Sequence, residues 1–522
     1  MRPDTSLPAE PQSRPQPRLL RSKLFWVSIL YFSEGFPLGL FFDLFPVYFR
    51  QQGVELSKIG LLSLLGLAWT LKFLWAPLID FTRRHRFWMA AADIGMGLVM
   101  LYCARDAGFG PWVWFAIGAF TFLSATNDIA IDGYTIEQLN KRELGIANGF
   151  RIGFYRVGML AAGVLLWFSD SAGWSATYGL AAVLFLVLAV VSLLAPREPP
   201  RPARATPASL GSELALLRAQ PLLPAALALF ILGLLWPVLG VLDWAWMQPF
   251  KSAWWFKGGV PVGLILLAAL LLTRNMRRKN GGQSGKSGQN LEPAAQGPMF
   301  GAIISLLNRR HALILILFIL TFKLADASIG FMIKPFWVDS GFTNTQIGLV
   351  SVNMGLGLSI AGGILGGWYT DKVGIFRGLW VLGLWQAFTN LGYVAAAALI
   401  PAAPQGVDIA LQHQALMYTA SALESFTGGL GTAAFLAFLM AIVDKAHATT
   451  EYAILSSIFA FSRSIAGWAG GIGAEQMGYA SYFLLTFFLA FPAYLLLPWI
   501  RSILRANDRV ANDQEPQPAA SP

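Results

Sequence analysis

The residues with chemical capacity in this 522-residue chain are charges and amides set inside long apolar runs. Glu34 and Asp43 lie in the first run, Lys72 in the second, Asn127, Asp128 and Asp132 in the fourth, and Arg151 and Arg156 in the fifth. Beyond residue 310 come Lys323 and Asp326, then Asn353, Gln386, Asn390, Glu424 and Arg463. A charge at the centre of a bilayer costs roughly 2.5–3.5 kcal/mol on insertion scales, so each needs a partner or a water-filled cavity. Two chemistries are open to such a set. The cations Lys72, Arg156, Lys323 and Arg463 can hold a carboxylate or phosphate. The carboxyls Glu34, Asp128, Asp326 and Glu424 can exchange a proton as their surroundings alternate between wet and closed. Asp326 follows Lys323 by three residues on one helix face, so that lysine can govern when the carboxyl is charged. For any single residue the plainer alternative is a structural ion pair, such as Lys72 with Glu34 or Arg156 with Asp128. Asp132 sits so near the end of its run that a loop arginine is the expected partner.

Enzymatic chemistry has little to stand on. His85, His311, His413 and His447 fall in loops or at run ends without metal-ligand spacing, and neither an HExxH motif nor a nucleophile elbow is present. The single cysteine, Cys103, has no internal partner. Residues 281–287, GGQSGKS, resemble a phosphate-binding loop but have three residues rather than four between Gly281 and Gly285, and no strand precedes them. No metal or cofactor is expected.

These residues must be positioned by membrane helices. The chain is 56% hydrophobic and 13% charged, about half the charge of a soluble domain, which leaves too little polar surface for water as the solvent. Fourteen runs are candidates to span about 30 Å of hydrocarbon: 24–49, 57–80, 86–104, 111–133, 145–168, 174–195, 221–243, 257–273, 311–333, 343–368, 374–400, 411–441, 450–473 and 478–500. The net charge of +10 sits mostly in short connections, where it reads as a topology signal rather than a nucleic-acid surface. Arg14 to Lys23, Arg83 to Arg86, Lys141 with Arg142, Arg197 to Arg204, Arg274 to Lys279, Lys372 with Arg377, and Arg501 with Arg505 all fall on one side. That places both termini in the cytoplasm, as an even span number also requires. The first 23 residues, rich in Pro and Arg, read as a cytoplasmic tail rather than a signal peptide.

The sequence also repeats itself. Residues 46–63, PVYFRQQGVELSKIGLLS, and 335–351, PFWVDSGFTNTQIGLVS, share a Pro-aromatic exit, a Gly, a polar turn and an Ile-Gly-Leu entry. Asp80 precedes Arg86 by six residues, as Asp371 precedes Arg377, and Arg156 and Arg463 occupy like places in a third echo. The organisation expected is a tail over 1–23, a six-helix half over 24–197, and a two-helix insert with a basic Gly/Ser-rich linker over 198–310. A second six-helix half follows over 311–500, then a tail over 501–522. Two like-oriented halves are the pattern of parallel-repeat transporters.

LKFLWAPLID (71–80), SATNDIAIDGYTIEQL (124–139), FKLADAS (322–328), QAFTNLGY (386–393) and ESFTGGLGTAAF (424–435) resemble the AmpG-like muropeptide permeases. These belong to the peptide, acetyl-CoA and drug transporter group of the major facilitator superfamily. The resemblance covers both halves, with departures: the extra helix pair lies between the halves, and Asn127 stands where the AmpG pattern has Gln. With the fourteen runs and the repeat read as six spans, an insert of two and six more, it implies an all-α, major-facilitator membrane protein, 6+2+6, of two pseudo-symmetric halves in the bacterial inner membrane. Its first and fourth helices in each half would line a central cavity, bringing Glu34, Asp43, Asp128, Lys323, Asp326 and Glu424 together. The implied activity is proton-coupled import of a cell-wall sugar–peptide fragment by a monomer. Other anionic solutes, such as iron-siderophores or acyl-CoA-type compounds, stay open, as does a non-transporting receptor. Asp80 with Arg86, and Asp371 with Arg377, are expected to clamp the cytoplasmic face in one state and release it in another. Asn390 joins the expected pathway residues. Gly145, Gly149 and Gly153, Gly362 with Gly366, Gly363 with Gly367, and Gly467 with Gly471 have the spacing of close helix crossings.

Overall fold

The computed structural model describes residues 22–82, 84–105, 112–138, 144–198, 222–241, 255–281, 311–443 and 448–514. The regular elements among the described residues are all helices. In hydrocarbon every backbone N–H and C=O must be paired within its own segment, and uninterrupted apolar runs with few prolines do this as helices. Helix α1 spans Lys23–Gln51, with a wide π-helical turn at Leu40–Leu44. Helix α2 is in pieces, Leu56–Leu65, Leu67–Leu71 and Ala76–Thr82. Then come α3, His85–Arg105, and α4, Trp112–Gln138. The stretch Leu144–Leu194 is broken at Gly173 into α5 (144–172) and α6 (174–194). Helices α7, Leu222–Val241, and α8, Val260–Gly281, form the insert. The second half runs α9, Ala312–Asp339; α10, Asn344–Val373; α11, Ile375–Leu399; and α12, Leu411–Ala441. It ends with α13 (448–477) and α14, which starts after Gly478 and continues through Phe491–Gln514.

The chain doubles back at Gly173 and Gly478, both with positive φ (77° and 75°), a conformation that only glycine adopts without strain. Ser175 donates to the Ala104 carbonyl at one end of α3, and Arg86 to the Ala195 carbonyl at the other, so α6 runs antiparallel to α3. Tyr482 and Tyr479 bond Ser328 and Asp339 in the same reversed order along α9. We call the end holding Lys23 the near end and the end holding Gln51 the far end.

The halves meet through paired glycine crossings. A Cβ on Gly60 of α2 would lie 2.7 Å from both the Gly467 carbonyl and the Gly471 Cα of α13. Its counterpart in the repeat, Gly348 of α10, would carry a Cβ 2.3 Å from the Gly163 carbonyl of α5. Of the other expected glycine crossings, Gly362 and Gly366 pack against Phe426 and Leu430 of α12, whereas Gly153, Gly363 and Gly367 have open space at the Cβ position. The side-chain positions of Gly145 and Gly149 lie outside the described residues. The insert helices pack on each other through Gly233 and Leu264, and Phe230 stacks 5.4 Å from Phe461 of α13. Phe87, Leu98, Trp112, Trp167, Ile364, Trp385 and Leu495 are exposed, an apolar exterior suited to lipid.

Candidate functional site

On the second half, α9 breaks at Lys323 (φ −102°, ψ 11°) and restarts at Leu324. The lysine is almost fully buried. Its Nζ donates to Gln386 Oε1 of α11 at 2.8 Å, and lies 3.4 Å from both Asp326 Oδ2 and the Gly428 carbonyl of α12. Asp326 occupies the first turn of the restarted helix, where a carboxylate is favoured by the helix dipole. Asp326 and Glu424 both open onto a cavity of about 300 Å³ on the seam between the halves, with Arg463, Tyr393, Ser351, Asp43 and Lys334 also on its walls. Phe42 and Met159 line it from the first half. Arg463 lays its guanidinium over the Phe42 ring at 4.8 Å, and no described carboxylate lies within ion-pair distance of it. Asn390 is fully buried one turn from Gln386, and both of its amide atoms lack a described hydrogen-bond partner.

The first half carries a second cluster. Helix α2 opens into a tight 3-10 turn at Lys72–Leu74, and Lys72 reaches Asp128 at 3.6 Å. Asp128 and Asp132 share one face of α4; Asp132 accepts from Tyr31 at 2.7 Å and pairs with Arg151 at 3.0 Å. Arg151 also sits 4.8 Å over the Tyr31 ring. Glu34 Oε2 and Asp128 Oδ1 are buried without a described partner. The expected pairs are therefore exchanged: Lys72 joins Asp128 rather than Glu34, and Asp132 takes a helix arginine rather than a loop one. The break in α2 is what turns Lys72 toward α4. Arg156 is half-buried and pairs with no described carboxylate, Asp128 included. Glu34, Lys72 and Asp128 are not on the walls of the seam cavity.

Asn127 departs furthest from a pathway role. It is fully buried and donates to Asp93 Oδ1 (3.1 Å) and Ser33 Oγ (3.2 Å), while Ser33 and Ser192 donate to the same carboxyl. Asp93 of α3 thus ties α1, α4 and α6 together inside the first half. A lone Asp in an apolar run, AADIG, was its available signal, and sequence reasoning passed over it.

Among the described gate residues, Arg86, Asp371 and Arg377, none makes an ion pair across the halves. Arg86 Nη1 donates to the Leu193 and Ala195 carbonyls (3.2 and 2.7 Å), and its Nε lies 3.6 Å from Glu198, which anchors α3 to the end of α6. Asp371 and Arg377 are exposed, and the side chain of Asp80 lies outside the described residues.

The polar contacts that join the halves gather at the far end. Arg50 Nε donates to Asp339 Oδ1 at 2.6 Å, while Tyr479, from the same half as Asp339, donates to the other carboxylate oxygen at 2.7 Å. Gln51 bonds Asn344 and Gln405. Asp170, at the end of α5, accepts the backbone N–H groups of Asn344 and Thr345 at the start of α10. In pseudo-symmetric fashion Glu475, at the end of α13, accepts the backbone N–H of Ser57 at the start of α2 (2.7 Å). Arg50 and Asp339 hold equivalent places in the repeat, 289 residues apart, so a pseudo-two-fold axis brings opposite charges face to face. The repeat itself was the signal for this pair. Lys334 was missed for another reason: the expected span stopped at 333, whereas α9 runs to Asp339.

Residues 27–250 match the family described as Major Facilitator Superfamily. Along nearly its whole length the chain is similar to "Anhydromuropeptide permease" of Escherichia coli, 26% identical over 499 residues, covering 92% of this chain and 80% of that one. It is similar also to "Putative transporter AmpG 4" of Rickettsia felis, 24% identical over 496 residues, covering 92% and 96%. Among solved structures, the nucleoside transporter NupG matches with a TM-score of 0.58 at 13% identity, covering 93% of this chain and 99% of that one. The POT family transporter PepTSo matches with 0.58 at 12% identity, covering 95% and 99%.

Proposed function

We propose that this chain is a membrane transporter of the major facilitator superfamily, which its residues 27–250 match, and that it imports an anionic cell-wall fragment, an anhydro-sugar peptide, across the bacterial inner membrane together with protons. We read it as two six-span halves around a two-span insert, with both termini cytoplasmic by the placement of basic connections. The near end then faces the cytoplasm, and the sealed far end faces outward.

The observation that carries the reading is the seam cavity. It offers Arg463, a cation at mid-membrane depth with no described carboxylate partner, opposite Asp326 and Glu424. An isolated guanidinium in such a place is costly unless an anion visits it, and its fork suits a carboxylate. Asp326 beside Lys323, and Glu424, are the carboxyls that would pass a proton as the cavity changes sides; Glu34 and Asp128, away from that cavity, would do so within the first half's own buried cluster. Alternating access would swap the sealed end by rocking the halves about the glycine crossings. An anhydro-sugar peptide is the cargo favoured by the similarity to an anhydromuropeptide permease.

The test is uptake of radiolabelled anhydromuropeptide by the purified protein in proteoliposomes under an inward proton gradient. We expect accumulation that a protonophore abolishes, and a KM raised roughly tenfold or more in Arg463→Gln, since a hydrogen bond to a charged group contributes about 1.5–3 kcal/mol. Accumulation of a ferric siderophore or an acyl-CoA instead of the muropeptide would replace the cargo while keeping the carrier. Uptake indifferent to the gradient would remove the proton.

A further inference from the structure

One ion pair both lines the cavity and joins the two halves. Lys334 of α9 lies 3.3 Å from Asp43 of α1, at the far-end roof of the cavity, and donates to Ser351 of α10 at 2.7 Å. Both charged side chains are mostly shielded, at 10% and 16% exposure, yet both touch the cavity. Asp43 sits in the π-helical turn Leu40–Leu44 of α1, and Ser351 in a second π-helical stretch, Ile347–Met354 of α10. Such widened turns are uncommon and gather at functional sites, where they aim a side chain that a regular helix would turn away. Two of the three members of this contact are placed by one.

We propose that Lys334 senses cargo: an acidic group of the solute, carboxylate or phosphate, displaces Asp43 from Lys334 and so unties the halves at the cavity roof. The inference rests on the transporter reading above and adds to it the residue that links occupancy to movement. The far end cannot open while Asp43 and Lys334 remain paired, because they belong to opposite halves. A partly shielded ammonium cannot be left without a counter-charge cheaply, so the pair should break when another anion is at hand. A cargo carboxylate rising from Arg463 toward the roof supplies that anion. Arg463 then captures the acidic group and Lys334 reads it.

The experiment uses two readouts on the full chain. Spin labels at Lys58→Cys and Val407→Cys, two exposed far-end positions on opposite halves, report separation of that end. Cys103→Ala removes the native thiol. Proteoliposome uptake of anhydromuropeptide, and of an analogue with its carboxyls amidated, reports cargo response. Without cargo, Asp43→Asn should raise the separated population at least fivefold, because the tie is gone whatever the cargo is. The same variant should lower the KM for anhydromuropeptide about tenfold, since Lys334 no longer has a resident anion to lose, and that for the amidated analogue by no more than the population shift itself. Lys334→Gln should abolish the cargo-dependent separation. Should Asp43→Asn fold poorly, the double variant Asp43→Asn with Lys334→Gln removes both charges; it should separate without cargo and ignore cargo thereafter. An unchanged distance distribution in both variants, or equal separation by the acid and its amide in the wild type, would overturn the proposal. If the muropeptide is not the cargo, wild-type uptake is absent while the cargo-free separation in Asp43→Asn still stands, so the two failures are distinct.

Discussion

Replacing Asp339 with Ala tests whether the far end is held shut by its charged contact. Asp339 accepts from Arg50 at 2.6 Å and from Tyr479 at 2.7 Å, and the ion-paired side chains are 24% and 22% exposed. A fully exposed ion pair contributes about 0–1 kcal/mol, whereas a hydrogen bond to a charged group in a shielded place contributes about 1.5–3 kcal/mol. Tyr479 and Asp339 belong to the same half, so only the Arg50 bond resists opening; with roughly three quarters of each side chain covered it is worth about 1–2 kcal/mol to the closed far end. Arg50 keeps its bond to the Val54 carbonyl (3.0 Å), which belongs to the same half and does not resist opening. At about 1.4 kcal/mol per tenfold, the variant should shift the closed-to-open ratio at the far end roughly 5- to 30-fold. Paramagnetic distance measurement between labels at positions 58 and 407 reads that ratio directly. Arg50→Ala should act alike, and the double variant should add little to either single one, as expected for two members of one interaction. A shift under threefold in all three variants, or full additivity, would show that the glycine crossings and helix caps hold the far end and the charged pair does not.

Two further outcomes follow from the packing and the buried charges. Gly163→Ala would place a Cβ 2.2 Å from Asn353 Oδ1 and 2.7 Å from the Gly348 carbonyl, so it should separate the halves at the α5–α10 crossing and cut uptake at least tenfold at normal expression; wild-type uptake would mean that the crossing yields. Asp93→Leu strands three buried donors, from Ser33, Asn127 and Ser192, and should lower stability by on the order of 3 kcal/mol, seen as a fall in thermal midpoint in detergent, with Asp93→Asn far milder. Equal midpoints in the leucine and asparagine variants would refute that account.

The membrane character, the helical runs and the internal repeat were legible in the linear chain, because each depends on local composition or on spacing along the backbone; of the buried charges, Asp93 and Lys334 were not picked out. Hydrocarbon forces long apolar runs into helices whatever their neighbours do, and a repeat is a property of order alone. Even the Arg50–Asp339 contact was latent there, as equal positions in two copies of one motif. Partner choice was not legible. Lys72 turns to Asp128 because α2 breaks beside it, Asn127 points into the Asp93 cluster rather than a pathway, and Lys334 meets Asp43 through two widened turns. An ion pair depends on angles and depths accurate to a few ångströms, which spacing along a helix does not supply. Which charges face one another, and which end of the molecule is sealed, were therefore decided only when the two halves packed together.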